Sequence, residues 1–180
     1  MSVRTLCLLV LAIATILALE DEGGVITRVT DGDTVTVQRR DGTSITIRLL
    51  SIDTPESRDN SHGAATESGK RASASMRELA PVGTAVRLWT SRTSFEMDRY
   101  HRVLAVVLIG PNGTESLNAH QIRRGWSPYW RKYGDLSADA TMHAIFLKAH
   151  EEAEASRSGA WSLDPEYMRN KTNERTAPKP

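Results

Sequence analysis

Val25-Ile-Thr-Arg-Val-Thr-Asp-Gly-Asp-Thr-Val-Thr-Val-Gln-Arg-Arg-Asp-Gly-Thr-Ser-Ile-Thr-Ile-Arg-Leu-Leu50 alternates apolar and polar residues in three runs, punctuated at Asp31-Gly32-Asp33 and Arg40-Asp41-Gly42. Period-two alternation marks strands with one buried face, and Asp-Gly pairs mark the turns between them. Val35 and Val37 share a face of the second run, and Ile45, Ile47 and Leu49 share a face of the third. A two-residue Asp41-Gly42 loop would set Val37 across from Thr46 and scramble the faces. A three-residue loop with Gly42 in the left-handed conformation pairs Val37 with Ile45 and Val35 with Ile47, which buries both sets. That register also brings Asp33 opposite Leu49, at the end of the hairpin where Asp53 lies.

Outward from the hairpin, residues 84–90 and 102–109 read as two further strands, and Pro111-Asn112-Gly113 as a tight turn. Ser51 to Pro81 begins as loop and continues as a helix over 64–79, with Ala72, Met76 and Leu79 on one face. Ser116 is placed to cap a short helix ending at Gly125, and Ser137 a longer one running through Phe146 and Ala153 to Gly159. The fold class expected is mainly β with helices (α+β): a small barrel of five short, mostly antiparallel strands with about three α-helices, not a doubly wound sheet. Trp161 is expected to close the core from the C-terminal side, and residues 164–180 to form a flexible tail, since nothing beyond Met168 repeats with an apolar period.

At 180 residues the chain suits one domain of that size. Lys and Arg total 23 against 22 Asp and Glu, which excludes attachment to nucleic acid by bulk positive charge alone. A single cysteine, Cys7, excludes an internal disulfide and a multi-cysteine metal site. Residues 1–19 have an early Arg4 and then a run from Leu6 to Leu19 whose one polar member is Thr15. That run falls short of the roughly 20 apolar residues of a membrane span and has the form of a secretory leader, with Ala12, Ala14 and Ala18 as possible cleavage points. A secreted or periplasmic protein is the expectation, with no membrane span after processing; an uncleaved leader would leave it anchored. Cleavage after Ala18 removes Arg4 and Cys7, and a cysteine-free chain suits an oxidising exterior. The domain itself is expected over 24–163, acting as a monomer.

Chemistry-bearing residues gather in two places. Asp31 and Asp33 belong to one turn, and Arg48-Leu-Leu-Ser-Ile-Asp53-Thr54-Pro-Glu56 leaves the third strand beside it. Acids crowded into one small volume repel one another unless a cation neutralises them. Oxygen donors without a thiol favour Ca²⁺ or Mg²⁺ over zinc. Arg48 ends an apolar strand and therefore needs an anionic partner. Asp98-Arg99-Tyr100-His101-Arg102 stands at the mouth of the fifth strand. Two arginines facing metal-bound carboxylates would clamp a phosphate and stabilise charge building on five-coordinate phosphorus.

These three segments resemble, in order and approximate spacing, the motifs of the staphylococcal nuclease (thermonuclease) family, and the similarity extends from Ile26 to Gly159-Ala160-Trp161. The resemblance implies a five-stranded OB-fold barrel with three helices and Ca²⁺-dependent hydrolysis of DNA and RNA with little sequence specificity. It implies Asp33 and Asp53 as calcium carboxylates with the Thr54 carbonyl beside them, and Asp31 as a supporting acid. Glu56 matches the proposed general base, Arg48 and Arg102 the phosphate-binding pair, and Tyr100 a tyrosine next to the nucleotide. In-line attack would expel the 5′-oxygen and leave 3′-phosphate products.

Three departures from the family pattern stand out. His101 replaces the glycine of Tyr-Gly-Arg, a change that strains the loop if the backbone there needs positive φ. Arg99 stands where a lysine is familiar and keeps its charge toward substrate. Tyr129 and Tyr133 are candidates for stacking on bases within Trp126-Ser-Pro-Tyr-Trp-Arg-Lys-Tyr133, a segment that reads equally as amphipathic core. Residues 99–133 carry six Arg and Lys against Glu115 alone, and basic residues interleaved with Trp and Tyr suit a single-strand groove. The rival function is therefore a non-catalytic barrel that binds single strands; the joint presence of Asp33, Arg48, Asp53, Glu56 and Arg102 favours hydrolysis.

Overall fold

The computed structural model describes residues 23–59, 63–90, 94–110, 113–132 and 136–174. The leader expected over 1–19 lies outside them. Strands β1 (Gly23–Asp31), β2 (Thr34–Arg39), β3 (Ser44–Leu49), β4 (Ala85–Trp89) and β6 (Val103–Ile109) form the wall, with two-residue strands β5 (Glu96–Met97) and β7 (Glu115–Ser116) added to β6. The sheet runs β3-β2-β1-β4-β6, and β6 then pairs with β3, closing a five-stranded barrel. All neighbours are antiparallel except that closing pair, which is parallel with Arg48 opposite Leu104.

The hairpin adopts the expected register, Val35 opposite Ile47 and Val37 opposite Ile45. Its loop is residues 40–42: the Arg39 amide donates to the Thr43 carbonyl and Gly42 has φ +84°, a conformation glycine takes without a Cβ clash. Alternation then does what it must, and Ile26, Val35, Val37, Ile47 and Leu49 are all fully buried in the barrel. Burying each such side chain contributes on the order of 2 kcal/mol. Leu49 donates its amide to the Asp33 carbonyl at 2.9 Å, so the hairpin's open end holds the Asp31–Asp33 turn against the loop that follows β3.

Helix α1 (Glu67–Leu79) starts three residues later than expected, because Thr66 caps it by accepting from the Gly69 amide at 3.0 Å. Helix α2 (Leu117–Arg123) is capped by Ser116 as expected. Helix α3 (Ala140–Ala155) is capped by Asp139, whose carboxylate accepts from the Met142 amide, and not by Ser137, which stands two residues before the cap. Two shorter helices follow, α4 (Ala160–Leu163) and α5 (Pro165–Asn173).

Helix α5 corrects the expectation of a flexible tail over 164–180 as far as residue 173; residues 175–180 lie outside the described residues. Asp164 accepts from the Tyr167 amide, Pro165 pre-sets the first helical φ, and Met168 is fully buried with Ala153, Ala160 and Trp161. A single buried methionine in a polar stretch offers no periodicity to read, which is why pattern alone missed the helix. Trp161 belongs to this small second cluster and not to the barrel interior.

Candidate active site

Asp33, only 8% exposed, is the junction of two loops. Its Oδ1 accepts from Thr34 Oγ1 at 2.9 Å, and its Oδ2 accepts from the Thr54 amide at 3.1 Å and Thr54 Oγ1 at 3.3 Å. Asp53 is held from the other side, its amide donating to the buried Ser127 Oγ at 2.8 Å. Between the two carboxylates stands Arg48, with Nη2 2.6 Å from Asp53 Oδ1 and 3.2 Å from Asp33 Oδ2. Nη1 of the same guanidinium donates to the Leu49 and Ile52 carbonyls at 3.0 and 2.8 Å. Burial works against this charge, and the Coulomb attraction of Asp33 and Asp53 outweighs it, raising the Arg48 pKa above its ordinary value. The anionic partner that Arg48 required is thus a pair of acids. Asp31 is tied to α1, its Oδ1 accepting from the Gly32 amide and from Ser73 Oγ, both at 2.8 Å.

Glu56 owes its place to the start of α1. Its carbonyl accepts from the Thr66 amide at 2.9 Å, and a Cβ on Gly69 would lie 2.0 Å from that same oxygen. Glycine is therefore required at 69 for the helix to approach the 55–56 backbone closely. The Gln121 side chain makes a second brace. Fully buried, it donates from Nε2 to the Gly32 and Ala72 carbonyls at 2.8 and 3.0 Å, and its Oε1 accepts from Ser75 Oγ at 2.9 Å. One amide ties the Asp31–Asp33 turn to α1 and α2.

Arg102 reaches the same cleft from the start of β6, and Asp98 aims it. Asp98 Oδ2 accepts from Arg102 Nε at 2.7 Å and lies 2.6 Å from Nη2, while Oδ1 accepts from the Tyr100 and Arg102 amides at 2.9 and 3.0 Å. Burial pushes the Asp98 carboxyl up, and these bonds outweigh it, leaving its pKa below the usual carboxylate value. The loop so held places His101 at φ +60°, the left-handed conformation that made glycine the expected residue there. The Tyr100 ring, 48% exposed, has the Arg99 and Arg102 guanidinium carbons 4.9 and 5.3 Å from its centre.

Asp31, Asp33, Arg48, Asp53, Thr54, Glu56, Arg99, Tyr100 and Arg102 all line one cleft of about 1090 Å³. One expected member, Tyr129, does not join it. Tyr129 is 1% exposed in the barrel core, its hydroxyl accepting from the Leu136 amide at 2.8 Å and lying 2.9 Å from His143 Nδ1, so it is a packing residue and presents no face to a base. Tyr133 lies outside the described residues. Nor is the basic run 99–133 one face: Arg123 and Arg124 pair with Glu152 and Glu78, and only Arg99, Arg102 and Lys132 of that run line the cleft.

Trp130, Tyr167 and Lys171 also line the cleft. Trp130 Nε1 donates to Glu174 Oε2 at 2.8 Å, and Lys171 Nζ lies 2.7 Å from Asp53 Oδ2. Burial pushes the Tyr167 hydroxyl well above its ordinary pKa, and the charges of Asp53 and Asp33 add to it. For Lys171, burial lowers the pKa and Asp53 more than reverses it. Asp98 stood within a motif already singled out, and its spacing to Tyr100 suits an Asx turn. Ser127, Gln121 and Lys171 have no sequence pattern that announces them.

Among the described residues no three His, Cys, Asp or Glu side chains gather closely enough to hold an ion by themselves. Of the acids expected to crowd together, Asp33 and Asp53 are the pair whose oxygens come close enough to touch a single Arg48 nitrogen. Two carboxylates brought this close, with Thr54 bonded to one of them, fit a hard cation that completes its shell with water or substrate oxygens. No helix among the described residues is long and apolar enough to cross a membrane.

A family model described as staphylococcal nuclease homologue matches residues 46–163. A protein of Shigella flexneri named micrococcal nuclease is 34% identical over 170 residues, covering 91% of this chain and 87% of that one. A protein of Haemophilus influenzae named an uncharacterized endonuclease is 27% identical over 137 residues, 76% of this chain and 65% of that one.

Proposed function

We propose that this chain, which belongs to the staphylococcal nuclease homologue family, is a calcium-dependent endonuclease that hydrolyses DNA and RNA with little sequence preference. Named nucleases among its relatives support the nuclease activity and the nucleic-acid substrate. The observation that carries the mechanism is the meeting of Asp33, Asp53 and Arg48 in a cleft also lined by Glu56 and Arg102. Asp33, Asp53 and Thr54 would hold the cation, which would supply a positive charge beside the scissile phosphate and lower the pKa of nearby water.

The chain's own groups do the rest. Glu56, fixed through its carbonyl to α1, accepts a proton from the attacking water. Arg102 is gripped by Asp98 along the Nε–Nη2 edge, which leaves its opposite edge to meet phosphate oxygens. Arg48 stays anchored through Nη1 to the Leu49 and Ile52 carbonyls and would offer its remaining N–H groups to the phosphate beside the cation. Both guanidinium groups bear on charge that grows during attack, where such donors contribute most. A barrel that only bound strands would have no use for an acid at position 56. Export through residues 1–19 belongs to the same proposal and is checked by N-terminal sequencing of the mature protein.

Plasmid DNA and a structureless RNA, each incubated with purified protein in chelator and with added CaCl₂, test the activity. Cleavage only with calcium is expected, with Mg²⁺ serving poorly because it demands near-octahedral geometry. Glu56→Gln and Arg102→Ala should each lower kcat by at least about 100-fold with unchanged circular dichroism. Full activity in chelator, or undiminished turnover in either variant, would refute the mechanism.

A further inference from the structure

Helix α5 leans back over the cleft, and one of its residues touches the centre. Met168 anchors the helix in the cluster of Ala153, Ala160 and Trp161, and the capping Asp164 is tied to α1, its Oδ2 accepting from Ser68 Oγ at 3.4 Å. One turn beyond Tyr167, Lys171 Nζ lies 2.7 Å from Asp53 Oδ2 and 3.5 Å from Glu174 Oε2, and Glu174 is itself fastened to Trp130 Nε1. The Asp53 carboxylate is therefore clasped on both oxygens, Oδ1 by Arg48 and Oδ2 by Lys171. Asp33 and Asp53 thus already face two cationic groups, Arg48 and Lys171.

We propose that Lys171 is a built-in counter-cation of the Asp33–Asp53 pair, which a divalent ion has to displace, so that the C-terminal helix sets the cation affinity of the cleft. The proposal rests on the assignment of Asp33 and Asp53 as cation ligands. Its physical basis is exclusion and repulsion. An ammonium 2.7 Å from Asp53 Oδ2 occupies the approach to that oxygen, and a doubly charged ion brought within a few ångströms of it is repelled. The lysine stem is long and flexible, and its side chain is 23% exposed, so the ammonium can swing aside without moving α5. Arg48 cannot do this as easily, being held by two backbone carbonyls as well as by the acids. Among the cationic groups around Asp53, Lys171 is the one built to leave.

The test is calorimetric titration of CaCl₂ alone into the full-length chain, without nucleic acid, for wild type, Lys171→Met, Lys171→Arg and Asp53→Asn, with thermal unfolding of each in chelator and in excess CaCl₂. Lys171→Met should bind calcium about tenfold tighter than wild type. It should also melt lower in chelator, where the acids lose a partner, and gain more from calcium. Lys171→Arg should return both readouts to near the wild-type values. Equal or weaker calcium binding by Lys171→Met, with binding still abolished by Asp53→Asn, would show that Lys171 merely pins the helix and would overturn the proposal while the cation site stands. Calcium binding that Asp53→Asn leaves untouched would remove the cation assignment itself, and the proposal with it.

Discussion

Replacing Gly69 by alanine sets two effects against each other, and the structure says which wins. In an open helix the change would stabilise the protein by about 1 kcal/mol, the difference in helix propensity. Here a Cβ would lie 2.0 Å from the Glu56 carbonyl oxygen, 2.3 Å from its carbonyl carbon and 2.7 Å from the Pro55 oxygen. Those are backbone atoms and cannot swing away as a lysine tip could. Ordinary contact needs more than 3 Å, so the 55–56 loop must retreat from α1 by about 1 Å. Overpacking of this kind costs about 1–3 kcal/mol, which exceeds the propensity gain. A net loss of about 1 kcal/mol lowers Tm by roughly 2–4 °C in a chain of this size. Function should suffer far more, because displacing a proton acceptor by 1 Å costs on the order of 100-fold. Thermal unfolding and single-turnover cleavage of a labelled oligonucleotide measure both. The exposed Lys70→Ala on the same helix serves as the propensity control. A Gly69→Ala protein that melts higher than wild type and cleaves at full rate would refute the claim that this contact positions Glu56.

Asp98→Asn should lower kcat by about 10- to 100-fold by leaving Arg102 without its charged anchor, with less effect on KM, and steady-state kinetics separate the two. Because the folded-state pKa of Asp98 is depressed, its carboxylate contributes stability at pH above the ordinary value of about 3.9, and that contribution is lost as pH falls through the folded pKa. Urea melts of wild type and Asp98→Asn should therefore converge in acid and separate toward neutrality; parallel curves would contradict this. Tyr129→Phe removes the acceptor of the buried Leu136 amide and should cost about 1–3 kcal/mol of stability. Its cleavage rate below the melting range should stay within about twofold of wild type, and a large KM increase would restore Tyr129 as a stacking residue.

The hairpin was legible because everything that specifies it is local. Alternation selects the buried face, and a loop with one left-handed glycine leaves a single register that buries both valines and both isoleucines. Once Val35 faced Ile47, the nearness of Asp33 to the residues after Leu49 followed by counting. Arg48 declared itself in the same way, as a charge that an apolar strand end tolerates only beside an acid. Asp98 was half legible, standing inside a quoted motif while its hold on Arg102 required the loop geometry.

Other features depend on surfaces that meet from far along the chain. Parallel closure of β3 on β6 joins residues some 55 apart, and neither strand carries a mark of its partner. Tyr129 sat in a segment with equal claims to cleft and core, and its hydroxyl settled inside because the Leu136 amide and His143 were waiting there. The capping of α3 passed from Ser137 to Asp139 because the first turn began two residues later than the apolar period suggested. Residues 165–173 became a helix over the cleft because one methionine found a pocket between α3 and α4. The order of the acids and arginines, the strand faces and the loop that unites them are written in short-range pattern, which covalent geometry and burial decode without help. The placing of Lys171 on Asp53, of Gln121 beneath Gly32 and of Gly69 against Glu56 came from packing between distant segments, where many pairings compete and only the assembled core chooses among them.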